Sequence, residues 1–308
     1  MRLFKNRGDF YIPKSGKGSS KEAKILFILL IFIVLFTVAF VILLNHKYDS
    51  AAEFFGKGEV TVTQKEEDNE LNLPTITGKT NFLVMETDDS GTNLHYIIIL
   101  QADKNSVSYK AAALSTELSL DGEKIKDVYK TGGGAGVQKR LTEYLGFEID
   151  YYAVFTTNSF VNFTGKLGTI IYPVNSDIRY SGGSGDDKYT IHLNEGEQKL
   201  SGRDISNLLR YHNEKTKDYF TEGELVLKAL TGLFNAENYE KAESLFRLFI
   251  KSTTTDISVR DFENGKNAVY VYCVRNNDIT IYTVNSQYDD NNVLTQNSAR
   301  EIKGYFSK

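Results

Sequence analysis

NFLVMETDDSGTNLHYIIIL, residues 81–100, decides the fold. HYIIIL, residues 95–100, is the most apolar run after residue 44, and a run of this length between turn signals reads as a strand buried on both faces. NFLVME ahead of it is a second short apolar run, and TDDSGTN between the two carries turn chemistry. Beyond it ADKN turns the chain again and SVSYKAA alternates as a third strand. Strands this close in sequence are expected to pair as neighbours.

Further out, the strand-like runs DYYAVF, TIIYPV and YTIHL alternate with helical patterns. One pattern puts Val137, Leu141, Tyr144 and Leu145 on one face, and a short one covers residues 159–166. A third puts Ile205, Leu208, Leu209 and His212 together behind SGRD, a near capping box with Asp204 in place of Glu. Two more run through residues 225–234 and 239–249. This interleaving predicts an α/β (or α+β) domain with a central mixed β-sheet flanked by helices. Near the end, NAVYVYCVR and DITIYTV flank NND, the pattern of a β-hairpin, and the stretch from Ser286 reads as a loose polar tail.

Residues 25–44, ILFILLIFIVLFTVAFVILL, have Thr37 as their only polar side chain. A helix of that length spans roughly 30 Å, the thickness of a bilayer's hydrocarbon core, and satisfies its own backbone there. Residues 1–24 carry seven basic side chains against two acidic ones. The positive-inside rule then places the N-terminus in the cytoplasm and all that follows Asn45 outside, as a single-pass protein of the cell membrane. The rival is a cleaved signal peptide, whose apolar region is shorter, about 7–15 residues. The expected order is a basic cytoplasmic tail (1–24), a transmembrane helix (25–44), an extracytoplasmic linker (45–77), a folded domain (78–255), and a C-terminal β-hairpin extension and tail (256–308).

The net charge of −4 divides into +5 on residues 1–24 and −9 on the rest. An acidic outer part argues against a nucleic-acid binder, and the tail is too short for a DNA-binding domain. The single cysteine, Cys273, has no internal disulfide partner and reads as a packed thiol. KTGGGAG, residues 130–136, suits either a phosphate cradle before a helix or a flexible connection, but its order is not that of a P-loop.

Four segments in order resemble the LytR-CpsA-Psr family of membrane-anchored outer-surface proteins of mainly Gram-positive bacteria. NFLVMETD resembles the family's opening strand, which ends in a Gly-Thr-Asp turn. KIKDVYKTGG resembles its Lys-Ile-Asn-x-x-Tyr-x-x-Gly-Gly segment. IDYYAVFTTNSFVNFTGKLGTIIYPV resembles its strand, helix and strand, and IHLNEGEQKLSGRDISNLLRYH its Gly-x-Gln-x-Leu-x-Gly segment ending in Tyr-x-Arg. The resemblance covers residues 81–262.

That resemblance implies transfer of a glycopolymer from a polyprenyl pyrophosphate carrier to peptidoglycan, with Mg2+ on acidic residues, arginines on the phosphates, and an apolar tunnel for the lipid. Asp88 stands at the family's first metal position, and His95 at the second. Thr116 and Glu117 replace an arginine and an aspartate, and His212 replaces the partner of the retained Arg210. Tyr219 and Glu222 fall near two further arginine positions. Most of the phosphate clamp is therefore replaced.

The expected catalytic pair is Asp88 and Arg210, with Asp88 as the metal ligand. Lys124, Lys126, His95 and His212 are the expected substrate-binding groups. Each has a plainer reading. Asp88 suits a turn cap, Arg210 a salt bridge, and the histidines core packing, with a zinc site on Asp88, His95 and His212 as a further possibility. Three functions follow from these residues. The first is a divergent family member in cell-wall glycopolymer attachment or assembly that binds a lipid-linked glycopolymer or a partner with little catalysis. The second keeps the phosphotransferase reaction. The third is a structural envelope protein.

Overall fold

The computed structural model describes residues 73–308. Within it β2 (Leu94–Asp103) pairs antiparallel with β1 (Lys79–Thr87) on one side and β3 (Ser108–Leu114) on the other, as the opening runs predict. Ile97 and Ile99 face one side of the sheet and Tyr96, Ile98 and Leu100 the other, all buried. Two buried faces are what an unbroken apolar strand needs.

β6 (Tyr151–Thr156) lies parallel to β1, and β11 (Thr253–Thr255) pairs antiparallel with β6. β12 (Thr280–Val284) lies parallel to β3 and completes a six-stranded sheet in the order β11-β6-β1-β2-β3-β12. Two-stranded ribbons stand apart from it. β4 (Ser119–Leu120) pairs with β5 (Glu123–Lys124), β7 (Ile170–Val174) with β10 (Gly196–Leu200), and β8 (Ile178–Gly182) with β9 (Tyr189–Leu193).

Helices cover both faces. Against Leu83, Met85 and Ile97 lie α1 (Ile125–Leu145), through Ile125, Val137 and Leu141, and the C-terminal helix Gln296–Phe306, through Ile302 and Phe306. The other face carries α2 (Thr157–Leu167), α3 (Gly202–Tyr211) and α4 (Tyr219–Leu233). The short α5 (Ala236–Tyr239), then α6 (Ala242–Ser252) and α7 (Val259–Val274), complete that side. The predicted capping box closes α3, with Ser201 accepting from the Asp204 N–H and Asp204 accepting from the Ser201 N–H.

Three expectations fail. NAVYVYCVR is not a hairpin strand but the last turns of α7. Its capping box, Ser258 with Asp261, and its packing over the sheet override the β-preference of Val and Tyr. DITIYTV is a strand, yet it pairs with β3 as a sheet edge. The tail is not loose either, because residues 296–306 form α8 with Phe306 fully buried. Residues 256–308 are thus part of the domain.

KTGGGAG is neither a phosphate cradle before a helix nor a flexible connection. It lies inside α1, which breaks at Gly133 (φ 59°). A Cβ on Gly134 would fall 2.5 Å from the Tyr152 ring, so glycine lets the helix close on β6. The expected transmembrane helix, basic tail and most of the linker fall outside the described residues, among which no helix is long and apolar enough to cross a membrane.

Candidate functional site

The site forms at the C-terminal end of β1. Glu86 is fully buried there, facing α2 and α3 on the side of Tyr96. The β1–β2 register shifts at Glu86/Thr87, so that Tyr96 pairs with Glu86 and Leu94 with Thr87, and His95 is the extra residue. Neighbours on a regular strand point to opposite faces; the bulge lets both reach one carboxylate. His95 Nδ1 lies 3.3 Å from Glu86 Oε1, and the Tyr96 hydroxyl donates to Oε2 at 3.2 Å. Thr157 and Ser206 hydroxyls donate to Oε1 at 3.0 and 2.7 Å. These donors offset the desolvation of a buried carboxylate.

The other ring nitrogen of His95 lies 3.1 Å from Asp187, at the tip of the β8–β9 hairpin. Asp187 in turn grips Arg210, whose Nη1 donates to Oδ1 at 2.9 Å and to the Asp187 carbonyl at 3.0 Å, while Nη2 donates to Oδ2 at 2.8 Å. Arg210 is 6% exposed. Its Nε donates to Glu214 at 3.3 Å, and its guanidinium lies 4.4 Å over the Tyr189 ring. The Tyr189 hydroxyl donates to the other Glu214 oxygen. Burial and that carboxylate push the Tyr189 phenol well above its usual range.

The remaining expected residues sit elsewhere. Asp88 caps its own turn. Its carboxylate accepts from the Thr92 and Asn93 N–H groups at 2.8 and 3.2 Å, from Ser90 Oγ at 2.9 Å and from Asn93 Nδ2 at 2.7 Å. Burial pushes this carboxyl up, but those hydrogen bonds together bring it down to about 2. Lys124 and Lys126 both pair with Glu117, at 3.1 and 2.5 Å, which lowers the Glu117 carboxyl against the effect of its partial burial.

His212 opens a π-helical turn (His212–Thr216) after α3, and its Nδ1 lies 3.2 Å from Thr216 Oγ1. Burial depresses its imidazole. Tyr219 and Glu222, near two expected arginine positions, are buried core groups, with Glu222 held by Asn213. Thr116 donates to the same Asn213.

Asp88, His95 and His212 do not share a site, and among the described residues no group of three His, Cys, Asp or Glu side chains is disposed to hold a metal ion. Asp88 is saturated by its own loop, and the next family position is an imidazole held between two carboxylates. Magnesium asks for an octahedron of oxygens, and these residues do not fit it.

Behind the polar cluster lies an apolar cavity of about 550 Å³, within the usual size of small-ligand sites. It runs between the sheet and the helices from Tyr96, Phe160 and Leu209 to Lys104, Asn264 and Tyr272, with α6 and α7 forming part of its wall. The Tyr96 ring lines it while the Tyr96 hydroxyl rests on Glu86, so one side chain joins cavity and cluster.

Glu86, Asp187, Glu214 and Tyr189 escape the sequence reading. Glu86 gave one signal, a charge that directly follows the apolar run FLVM. Asp187 gave only its place in a Gly-, Ser- and Asp-rich loop.

The class of protein is a helix-covered mixed sheet with a buried polar cluster at the end of β1 and an apolar cavity that shares Tyr96 with it. The model of the LytR_cpsA_psr family matches residues 50–305, and the chain belongs to that family. It is 23% identical over 280 residues to the regulatory protein MsrR of Staphylococcus aureus strain COL, covering 85% of this chain and 81% of MsrR. A protein of Eubacterium siraeum DSM 15702 shares the fold with a TM-score of 0.67 at 18% identity, over 80% of this chain and 98% of that one. TagV of B. subtilis does so with a TM-score of 0.57 at 17% identity, over 75% and 96%. TagT bound to LI-WTA does so at 0.54 and 14%, over 74% and 89%.

Proposed function

We propose that this chain acts in cell-wall glycopolymer attachment or assembly as a membrane-anchored protein of the outer cell surface. In this reading it holds a polyprenyl-linked glycan by its lipid tail, with little phosphotransfer of its own. The observation that carries the reading is the apolar cavity of about 550 Å³, joined to the polar cluster through Tyr96, while the cluster's arginine is already committed to Asp187 and Glu214. Family membership and the fold shared with TagT bound to LI-WTA support the choice of ligand. Residues 25–44 supply the anchor, the basic tail the cytoplasmic side, and peptidoglycan is the acceptor surface.

The phosphotransferase reading needs a free Arg210 and lysines converging on it. Arg210 is held by two carboxylates, and Lys124 and Lys126 by Glu117. The test is binding of a polyprenyl pyrophosphate to the full chain in detergent, with and without magnesium, beside Arg210→Ala. Binding indifferent to magnesium and to the substitution supports the tail-binding reading. Magnesium-dependent binding that Arg210→Ala abolishes restores the phosphotransferase. No binding at all leaves a scaffold.

A further inference from the structure

The seat an anion would take on Arg210 is filled from within the chain. A guanidinium has five N–H donors in a rigid fork. Four are taken: Nε by Glu214, both of Nη1 by the Asp187 carbonyl and Oδ1, and one of Nη2 by Asp187 Oδ2. The two-point grip on Nη1 and Nη2 is the one a phosphate uses on arginine.

The hairpin tip is shaped to deliver that carboxylate. The Asp187 N–H closes a turn on the Ser184 carbonyl at 3.0 Å. Gly183 has φ 71°, and a Cβ there would fall 2.0 Å from the Asp187 carbonyl oxygen. His95, on β2, meets Asp187 at 3.1 Å from the other side. A diphosphate arriving at Arg210 would face Asp187 and Glu214 on the guanidinium and Glu86 beyond His95. Like charges at such distances repel strongly away from water.

We propose that Asp187 is the specificity residue of this site, an internal anion that bars diphosphate head groups from Arg210. The glycan carrier is then held by its tail, and its head gains nothing from the arginine. This names what the head-group end of the site rejects, and for its lipid arm it rests on the function proposed above. It also separates two explanations for weak head-group binding. One is the loss of the other arginines; the other is occupancy of the one that remains.

The test is isothermal titration of the full chain in detergent with inorganic pyrophosphate. Asp187→Asn keeps the shape and one acceptor but removes the charge and the two-point grip. The expected result is pyrophosphate binding at least about tenfold tighter in Asp187→Asn than in the unmodified chain, a gain of about 1.4 kcal/mol. That gain is lost when Arg210→Gln is added. Gly183→Ala changes no charge but forces the tip off Arg210, and is expected to shift affinity in the same direction. Circular dichroism checks that each variant is folded, and Gly183→Ala decides if Asp187→Asn is not.

Equal affinity in the unmodified chain and the folded variant overturns the proposal, and so does a gain that survives without Arg210. A parallel titration with a long-chain uncharged polyprenol reads the tail alone. Its failure in every variant sinks the lipid reading while the pyrophosphate comparison still stands or falls by itself.

Discussion

Asp187 and Arg210 meet fork to fork across 23 residues of sequence, with Nη1 and Nη2 at 2.9 and 2.8 Å from the two carboxylate oxygens. The consequence for stability is asymmetric. Removing Arg210 takes the shared guanidinium from both Asp187 and Glu214, whereas neutralising Asp187 leaves Arg210 with Glu214 and the Tyr189 ring. Arg210→Met is expected to cost about 2–4 kcal/mol and Asp187→Asn about 1 kcal/mol. Urea unfolding midpoints measure both. A gain in stability from Arg210→Met would mean that burying the guanidinium costs more than its partners return.

Asp88 predicts an acid transition. Its folded carboxyl lies at about 2, below the ordinary 3.8. A depressed folded value means stability that is present above about 4 and lost as pH falls through 2. Asp88→Ala is expected to cost on the order of 1–2 kcal/mol at pH 7 and to flatten the fall between pH 4 and 2. Stability curves of both proteins across that window check it. The variant is also expected to leave Arg210 chemistry untouched, because every partner of the Asp88 carboxylate lies within its own loop.

Glu222 predicts the opposite slope. Complete burial holds its carboxyl well above the usual range; the Asn213 amide works against this and Asp218 with it. A raised folded value means stability that is full below about 4.5 and declines as pH rises toward that higher value. Glu222→Gln keeps the shape and removes the titration. Melting temperatures at pH 5 and pH 8 are expected to converge in the variant and to separate in the unmodified chain, with the variant the more stable at pH 8.

These groups mark where the sequence stops being legible. β1, β2 and β3 were readable because their apolar runs are long and their turns carry Asp, Ser, Gly and Asn. The end of α7 reads as a strand because Val and Tyr alternate through NAVYVYCVR, although Ser258 and Asp261 announce the helix start. α8 hid in a polar stretch, with Ala299, Ile302 and Phe306 as its spaced apolar signal. At the site, Arg210 and His95 could be picked out one at a time. The carboxylate between them could not, because nothing local ties a hairpin tip to a helix 23 residues on and to a strand 92 residues back.

The cavity gives the last prediction, which separates binding from stability. Ala229, on α4, lines it. Trp at that position projects an indole into open apolar space instead of into packed side chains, so the overpacking cost is expected to stay under about 1.5 kcal/mol. If the tail occupies this space, Ala229→Trp weakens polyprenol binding at least about tenfold. Leu141→Ala is the matched control. Leu141 is fully buried on the other face of the sheet, in the cluster that includes α1 and α8. Its truncation is expected to cost about 2–5 kcal/mol while leaving polyprenol affinity unchanged at a temperature where the protein stays folded. Titration calorimetry beside urea melts of both variants reads the two quantities. A pattern in which affinity follows stability, with Leu141→Ala the weaker binder, would move the lipid away from this cavity.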